Sequence, residues 1–267
     1  MTQGAGRGAG APSPIIDFHV HPGFSLELPA VREAFAPMVK EARYHGVDQM
    51  CVSTLDISLA SPPPARVREE NDLTRALMED YPGRVVGLCH INPLYPDEAL
   101  AEIDRCVAAG MSGIKLWISC KASHEAVDPV AARAAALRLP ILQHAWYKVQ
   151  GEGENESTPA DVAALAARHP KTMIVMAHLT GCGERGLADI APHRNVLVDT
   201  SGGDPEAGLT ELAVKRLGAH RVVFGTDSPI RSYGATLGKI LGAKLSPSQR
   251  ARILSGNAQR LLGRARS

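Results

Sequence analysis

The 267-residue chain predicts a single (β/α)8 TIM barrel, and three observations carry that expectation. The length suits a fold of roughly 250 residues. Eight short apolar runs recur along the chain, and stretches with helical spacing separate them. Strands that alternate regularly with helices imply a parallel sheet, and eight such units favour closure into a barrel over an open sheet.

The expected strands are residues 15–20, 47–53, 85–91, 113–118, 140–145, 172–178, 196–200 and 221–227. Most are apolar nearly throughout, as strands covered on both faces must be. The first expected helix, 28–46, ends on Gly46; the second, 66–81, is stopped by Pro82-Gly83. The helix at 96–110 carries Asp97 and Glu98 in its first turn and a glycine at its end, which complements the helix dipole. Ser157-Thr158-Pro159 opens another helix, with proline suited to the first turn. Stretches 205–218 and 246–262 complete the set. Ser61-Pro62-Pro63-Pro64 reads as a rigid loop after strand two. A dinucleotide-binding sheet would want G-x-G-x-x-G after an early strand, whereas His21-Pro22-Gly23 stands there.

Residues 1–13, rich in Gly, Ala and Pro, are expected to form a flexible tail ahead of one domain at 14–267. They lack the apolar core of a signal peptide, and no stretch is long and apolar enough to span a bilayer, so the expected location is cytoplasmic. The five cysteines are odd in number and widely spaced, which suits buried free thiols. A net charge of +1 gives no reason to expect a nucleic-acid or membrane partner. The expected partner is a small molecule.

The chemistry-bearing residues begin with Asp17-Phe18-His19-Val20-His21. Side chains two apart on a strand share a face, so His19 and His21 lie side by side and can bind one cation. Other candidate ligands end other strands: His144 after Ile141-Leu142-Gln143, His178 after Ile174-Val175-Met176-Ala177, and Asp227 after Val222-Val223-Phe224-Gly225-Thr226. In a parallel barrel these ends share the face on which active sites are built, which points to a common metal site.

These segments, with Gly225-Thr226-Asp227-Ser228-Pro229 and Ile253-Leu254-Ser255-Gly256-Asn257-Ala258, resemble the amidohydrolase superfamily, and within it the amidohydrolase-2 branch that includes aminocarboxymuconate-semialdehyde decarboxylase. The resemblance runs from Ile15 to Leu262. It implies that His19, His21, His144 and Asp227 hold one divalent ion, zinc in preference to manganese. It further implies that His178 assists catalysis, that Asp227 exchanges protons with water or substrate, and that the protein is a homodimer.

Lys115, in Gly113-Ile114-Lys115-Leu116, has three competing readings. It binds an anionic substrate group, it is carboxylated and bridges a second metal, or it is an inward residue paired to a carboxylate. The first is preferred, because an ammonium beside a metal ion is tolerable only when an anion joins them. Trp146 is read as a pocket wall and Arg231 as a carboxylate binder. His90, Asn92 and Tyr147 are weaker candidates for the site. His45, His169, His193 and His220 read as capping or solvent-facing residues. Gly181-Cys182-Gly183 reads as a loop that can approach a substrate closely, with Cys182 not a nucleophile.

The expected reaction is hydrolysis of an ester, lactone or amide by metal-activated water, with Asp227 taking the proton. The alternative is non-oxidative decarboxylation of an unsaturated or aromatic acid. The brief segment between His21 and the next helix leans toward hydrolysis, because many decarboxylases of the branch carry an insertion there. A barrel without catalysis is the third reading; every expected ligand position is filled, which weighs against it.

Overall fold

A computed structural model describes residues 14–23, 25–148, 153–203 and 206–265. The expected tail at 1–13 lies outside the described residues. Eight parallel strands stand in sequence order: β1 (Ile15–Val20), β2 (Val47–Val52), β3 (Val85–His90), β4 (Gly113–Leu116), β5 (Ile141–Gln143), β6 (Ile174–Met176), β7 (Val196–Asp199) and β8 (Val222–Val223). β8 returns to β1 through the bonds Phe18 N–H to Phe224 O and His21 N–H to Ser228 O, and a parallel bridge joins Val20 to Ser228. The fold is a (β/α)8 TIM barrel.

The helices are α1 (Leu28–Tyr44), α2 (Pro64–Asp80), α3 (Pro96–Ala108), α4 (Val127–Leu137), α5 (Pro159–Arg168), α6 (Leu179–Ile190), α7 (Leu209–Leu217), α8 (Tyr233–Leu241), α9 (Pro247–Ala251) and α10 (Asn257–Ala265). The proline patch read as a loop is partly the entry to α2, with Pro63 at the N-cap and Pro64 in the first turn, where a missing N–H costs nothing. α5 starts at Pro159 as expected, and Thr158 and Asp161 close a capping box around its first turn. α7 begins at Leu209 rather than 205; Asp204 and Pro205 lie outside the described residues. The expected helix at 246–262 is α9 and α10 joined by a wide π-type turn, Arg252–Gly256.

Three helices have no counterpart in the sequence reading. α6 holds Gly181, Gly183 and Gly186, residues that disfavour helices, and its backbone kinks at Gly183. α8 is short and contains Gly234 and Gly238. α4 is an alanine-rich segment whose weak amphipathic pattern hides it. Among the described residues, no helix is long and apolar enough to cross a membrane.

Two apolar layers give the barrel its core. Ile16, Phe18, Leu88, Leu142, Val175, Leu197 and Val223 fill the inside, joined by Ala258, Leu261 and Leu262 from α10. Val20, Val52, Ile114, Met176 and Phe224 face outward against the helices. In β1 the two layers change register. Ile16 and Phe18 face inward, yet so do His19 and His21 farther along. A β-bulge between Asp17 and Val20 inserts the extra residue that turns the odd-numbered side chains inward. Asp17 secures this bulge, accepting bonds from the N–H groups of His19 and Thr226 and from the Thr226 hydroxyl. Simple alternation therefore predicts the His19–His21 pair correctly but does not extend to Asp17.

Candidate metal centre

All eight residues singled out for chemistry line one cavity of about 210 Å³ at the C-terminal end of the strands: His19, His21, Lys115, His144, Trp146, His178, Asp227 and Arg231. Strands five, six and eight are shorter than expected, so His144, His178 and Asp227 stand in the loops beyond them. His178 and Asp227 have φ angles of 72° and 64°. Left-handed backbone is unfavourable for such residues and collects at functional sites, where packing enforces it. Here it turns both side chains off the strand direction and over the barrel mouth.

The hydrogen bonds identify which ring nitrogens carry protons. His19 Nδ1 lies 2.8 Å from Asp199 Oδ2, and His21 Nδ1 lies 2.7 Å from the carbonyl of Ser53. A carboxylate and a carbonyl can only accept, so both Nδ1 atoms donate. Both Nε2 atoms are therefore bare lone pairs, and they face each other at 3.2 Å. Asp227 Oδ1 adds a third acceptor, 3.4 Å from His19 Nε2 and 3.5 Å from His21 Nε2. Three acceptors that converge in a buried space repel one another unless a cation joins them. The Lys115 ammonium supplies part of that positive charge, 2.9 Å from His19 Nε2.

The ligand atoms of His19, His21 and Asp227 all lie within 4.8 Å of one another, as do those of His19, His178 and Asp199. The first group fits a divalent cation by donor type and by its fixed lone pairs. In the second, Asp199 is the partner that orients His19. His144, the fourth expected ligand, joins neither group among the described residues. Its Nε2 donates to Glu156 Oε1 at 2.7 Å, and its Nδ1 faces His178 Nε2 at 3.1 Å.

Burial dominates the electrostatics. It holds His19 and His178 well below the usual imidazole range and brings His21 down to about 3, in each case helped by the nearby positive charge of Lys115. Burial also lowers His144, while its bond to Glu156 works the other way. Burial thus disfavours the imidazolium form of all four rings, which suits them to ligate a cation. Burial raises the Asp227 carboxyl against the pull of Lys115, and it lowers the Lys115 ammonium against the pull of Asp227 and Asp199.

Trp117, Trp146, Leu55 and Ile57 supply the apolar walls. The indole of Trp146 occupies the space above Gly181, where a Cβ would fall 2.5 Å from the ring. Gly181 thus sits in α6 and makes room for a wall of the pocket, a different role from the loop expected to approach the substrate closely. Cys182 is buried and donates to the carbonyl of Ala145, and burial pushes its thiol well above the usual range. Arg231 is tied to the carbonyls of Gly202 and Ile230 at the cavity's edge.

The weaker candidates fall away from the cavity. Tyr147 donates to Asp189 and lies under Arg185. Asn92 bonds Ser61 and the carbonyl of Pro62. His90 Nδ1 pairs with Glu70 Oε2, and its Nε2 has no hydrogen-bond partner among the described residues. His45 and His169 are the C-cap residues of α1 and α5.

Comparison with known proteins gives the family and the fold. The Amidohydrolase family model (Amidohydro_2) matches residues 16–264. The chain belongs to the amidohydrolase family. No curated protein matches this amidohydrolase in sequence. Its fold is similar to that of 2,6-dihydroxybenzoate decarboxylase from Rhizobium, at 17% identity and a TM-score of 0.73, covering 94% of this chain and 98% of the other. It is similar to a dihydroxybenzoic acid decarboxylase from a Polaromonas species with bound manganese and the inhibitor 2-nitroresorcinol, at 16% identity and a TM-score of 0.72, covering 96% and 98%. It is also similar to 4-oxalomesaconate hydratase from Rhodopseudomonas palustris, at 16% identity and a TM-score of 0.68, covering 94% and 96%. At these identities the likeness is one of fold.

Four groups in the amidohydrolase site were not singled out from the sequence: Asp199, Ser201, Glu156 and the Ser53 carbonyl. Asp199 ends Val196-Leu197-Val198, so the strand-end rule that found His144 and Asp227 reaches it too. Glu156 stands in a loop with no local signal, and a backbone carbonyl has none at all.

Proposed function

We propose that this amidohydrolase is a metal-dependent hydrolase that cleaves an ester, lactone or amide bond in a small substrate bearing a carboxylate. The convergence of two fixed imidazole lone pairs and a carboxylate on one buried point carries the reading. His19, His21 and Asp227 would hold the cation, with His144 as the fourth ligand once its Nδ1 turns from His178. A bound divalent cation supplies Lewis acidity, which polarises a carbonyl oxygen and makes water more acidic.

The chain's own residues do the rest. Asp227 Oδ1 stands beside the two Nε2 atoms, where it accepts a proton from an attacking water and returns it to the leaving group. His178 Nε2 faces the same cavity and can take part in that transfer. Lys115 and Arg231 attract and orient the substrate's carboxylate. The two tryptophans and Leu55 exclude water from the apolar part of the substrate.

Decarboxylation is the second reading, and the combination of cationic and apolar walls favours it. A carboxylate drawn by Lys115 and Arg231 against indole surfaces loses hydration, which assists loss of CO₂; Asp227 or His178 then protonates the carbon left behind. Decarboxylases that share the fold lend this reading its context.

The test loads the purified chain with zinc or manganese and follows a panel of lactones, esters, amides and aromatic acids by pH-stat and by CO₂ release. Acid release from a lactone or ester, or amine release from an amide, without CO₂ supports hydrolysis. CO₂ release with proton uptake replaces it with the second reading. No turnover by any metal-loaded form overturns both.

A further inference from the structure

Asp199 touches two histidines at once. Its Oδ2 accepts from His19 Nδ1 at 2.8 Å. Its Oδ1 accepts from the Ser201 hydroxyl at 2.5 Å and from the backbone N–H groups of His178 and Ser201. Ser201 Oγ in turn lies 3.0 Å from His178 Nδ1. A hydroxyl has one proton, and the carboxylate oxygen beside it can only accept, so that proton lies between Ser201 and Asp199. The lone pairs of Ser201 Oγ are then left to accept from His178 Nδ1. A neutral imidazole with its proton on Nδ1 presents a bare Nε2, which faces the cavity 3.1 Å from His144 Nδ1, itself an acceptor while His144 Nε2 donates to Glu156. A cation that draws His144 Nδ1 away removes this competing claim on the His178 proton.

The surroundings leave this bridge little freedom. Asp199 and Ser201 are fully buried. On the β8 side, a Cβ at Gly225 would fall 3.1 Å from Asp199 and from the Cβ of His19. On the other side Gly202, at φ 110°, presses on His178, where a Cβ would lie 3.2 Å from the His178 Cα. Two glycines thus admit the chain close enough for one carboxylate to serve both rings.

We propose that Asp199 and Ser201 are positioning residues that fix His178 with its proton on Nδ1 and its Nε2 lone pair turned to the substrate, while the same carboxylate orients His19 toward the metal. The inference rests on the function proposed above, in which His178 faces the reacting atoms. One carboxylate then ties together metal ligation and proton transfer. Ser201 serves chiefly the proton-transfer arm, since its 3.3 Å contact with His19 Nδ1 is secondary to the 2.8 Å bond that Asp199 accepts there, and Asp199 serves both.

The test uses the full chain labelled with ¹⁵N-histidine and loaded with zinc, the state in which His144 Nδ1 has turned from His178. Long-range ¹H–¹⁵N correlations report where each of the ten imidazoles carries its proton, and His178→Gln identifies the relevant signal. The expected wild-type spectrum has the His178 proton on Nδ1. Ser201→Ala is expected to shift it to Nε2 or into exchange between the two sites. Ser201→Thr keeps the hydroxyl and is expected to restore the wild-type pattern. A wild-type proton on Nε2, or a Ser201→Ala spectrum identical to wild type, overturns the proposal; the first of these needs no variant at Ser201.

Zinc titration separates the two arms. Asp199→Asn is expected to weaken zinc binding about 10–100-fold, as loss of an orienting partner does, while Ser201→Ala retains wild-type affinity. Equal losses in both variants overturn the division between the arms. Failure of the wild type to bind zinc sinks the proposed metal function, and the tautomer measurement on metal-free His144→Ala, where that acceptor no longer competes for the His178 proton, still decides the bridge.

Discussion

The two sides of the cavity are built differently. On the β1, β2, β7 and β8 side, His19 and His21 donate their outer hydrogen bonds to Asp199 and to the carbonyl of Ser53, groups at strand ends that are buried. On the β5 side, His144 leans on Glu156, a loop residue that also binds the half-exposed Lys148. A strand end is positioned by ladders on both flanks, whereas a loop is positioned by its own few contacts. The first side is preorganised for a cation. On the second, His144, the proposed fourth ligand, would turn toward a cation only as far as its loop permits.

The sharpest way to break this contrast is His19→Ala or Asp227→Asn. Each removes one of three converging acceptors, and bound zinc is expected to fall from about one ion per chain to trace levels by plasma mass spectrometry. Gly225→Ala is next. Its methyl would crowd Asp199 and His19 at 3.1 Å on the rigid side, so zinc affinity is expected to drop about 10–100-fold in calorimetric titration. Retained affinity would show that the strand side yields more easily than its packing implies.

Glu156→Gln probes the loop side. The amide keeps an acceptor for His144 but loses the charge that holds Lys148, so the loss of zinc affinity is expected to be about tenfold, near the low end of such effects. A larger loss than that of Gly225→Ala would reverse the comparison. The smallest effect belongs to Asp161, which anchors the start of α5 just beyond that loop. Burial works against its ionised form, but bonds from Ser123 and Thr158 outweigh it and hold the carboxyl below its usual value. A depressed carboxyl contributes stability above its unfolded value, and that stability is lost as pH falls through the folded value. Thermal melts of wild type should therefore lose, below about pH 4, a contribution of about 1 kcal/mol that Asp161→Asn lacks at every pH.

Much of the site was legible because the reading rests on local rules. The two-residue spacing of His19 and His21 is a property of any strand, and His144, His178 and Asp227 each follow an apolar run. Asp199 obeys the same rule, and a uniform search of strand ends would have included it. The bulge at Asp17 was not legible, because the mismatch exists only against the β2 register. α6 was hidden because its glycines answer to neighbours, Gly181 to Trp146 and Gly186 to Pro159 and Cys182.

The sequence by itself determined the barrel, the end of it that carries chemistry, and the identity of the side chains that meet there. Period and punctuation are short-range properties, and parallel strands must present their ends on one face. Only the tertiary structure decided which nitrogen of each histidine bears a proton, which acceptors converge, and which carboxylate serves two rings. Those depend on contacts between residues as far apart as His19 and Asp199, which no local pattern encodes.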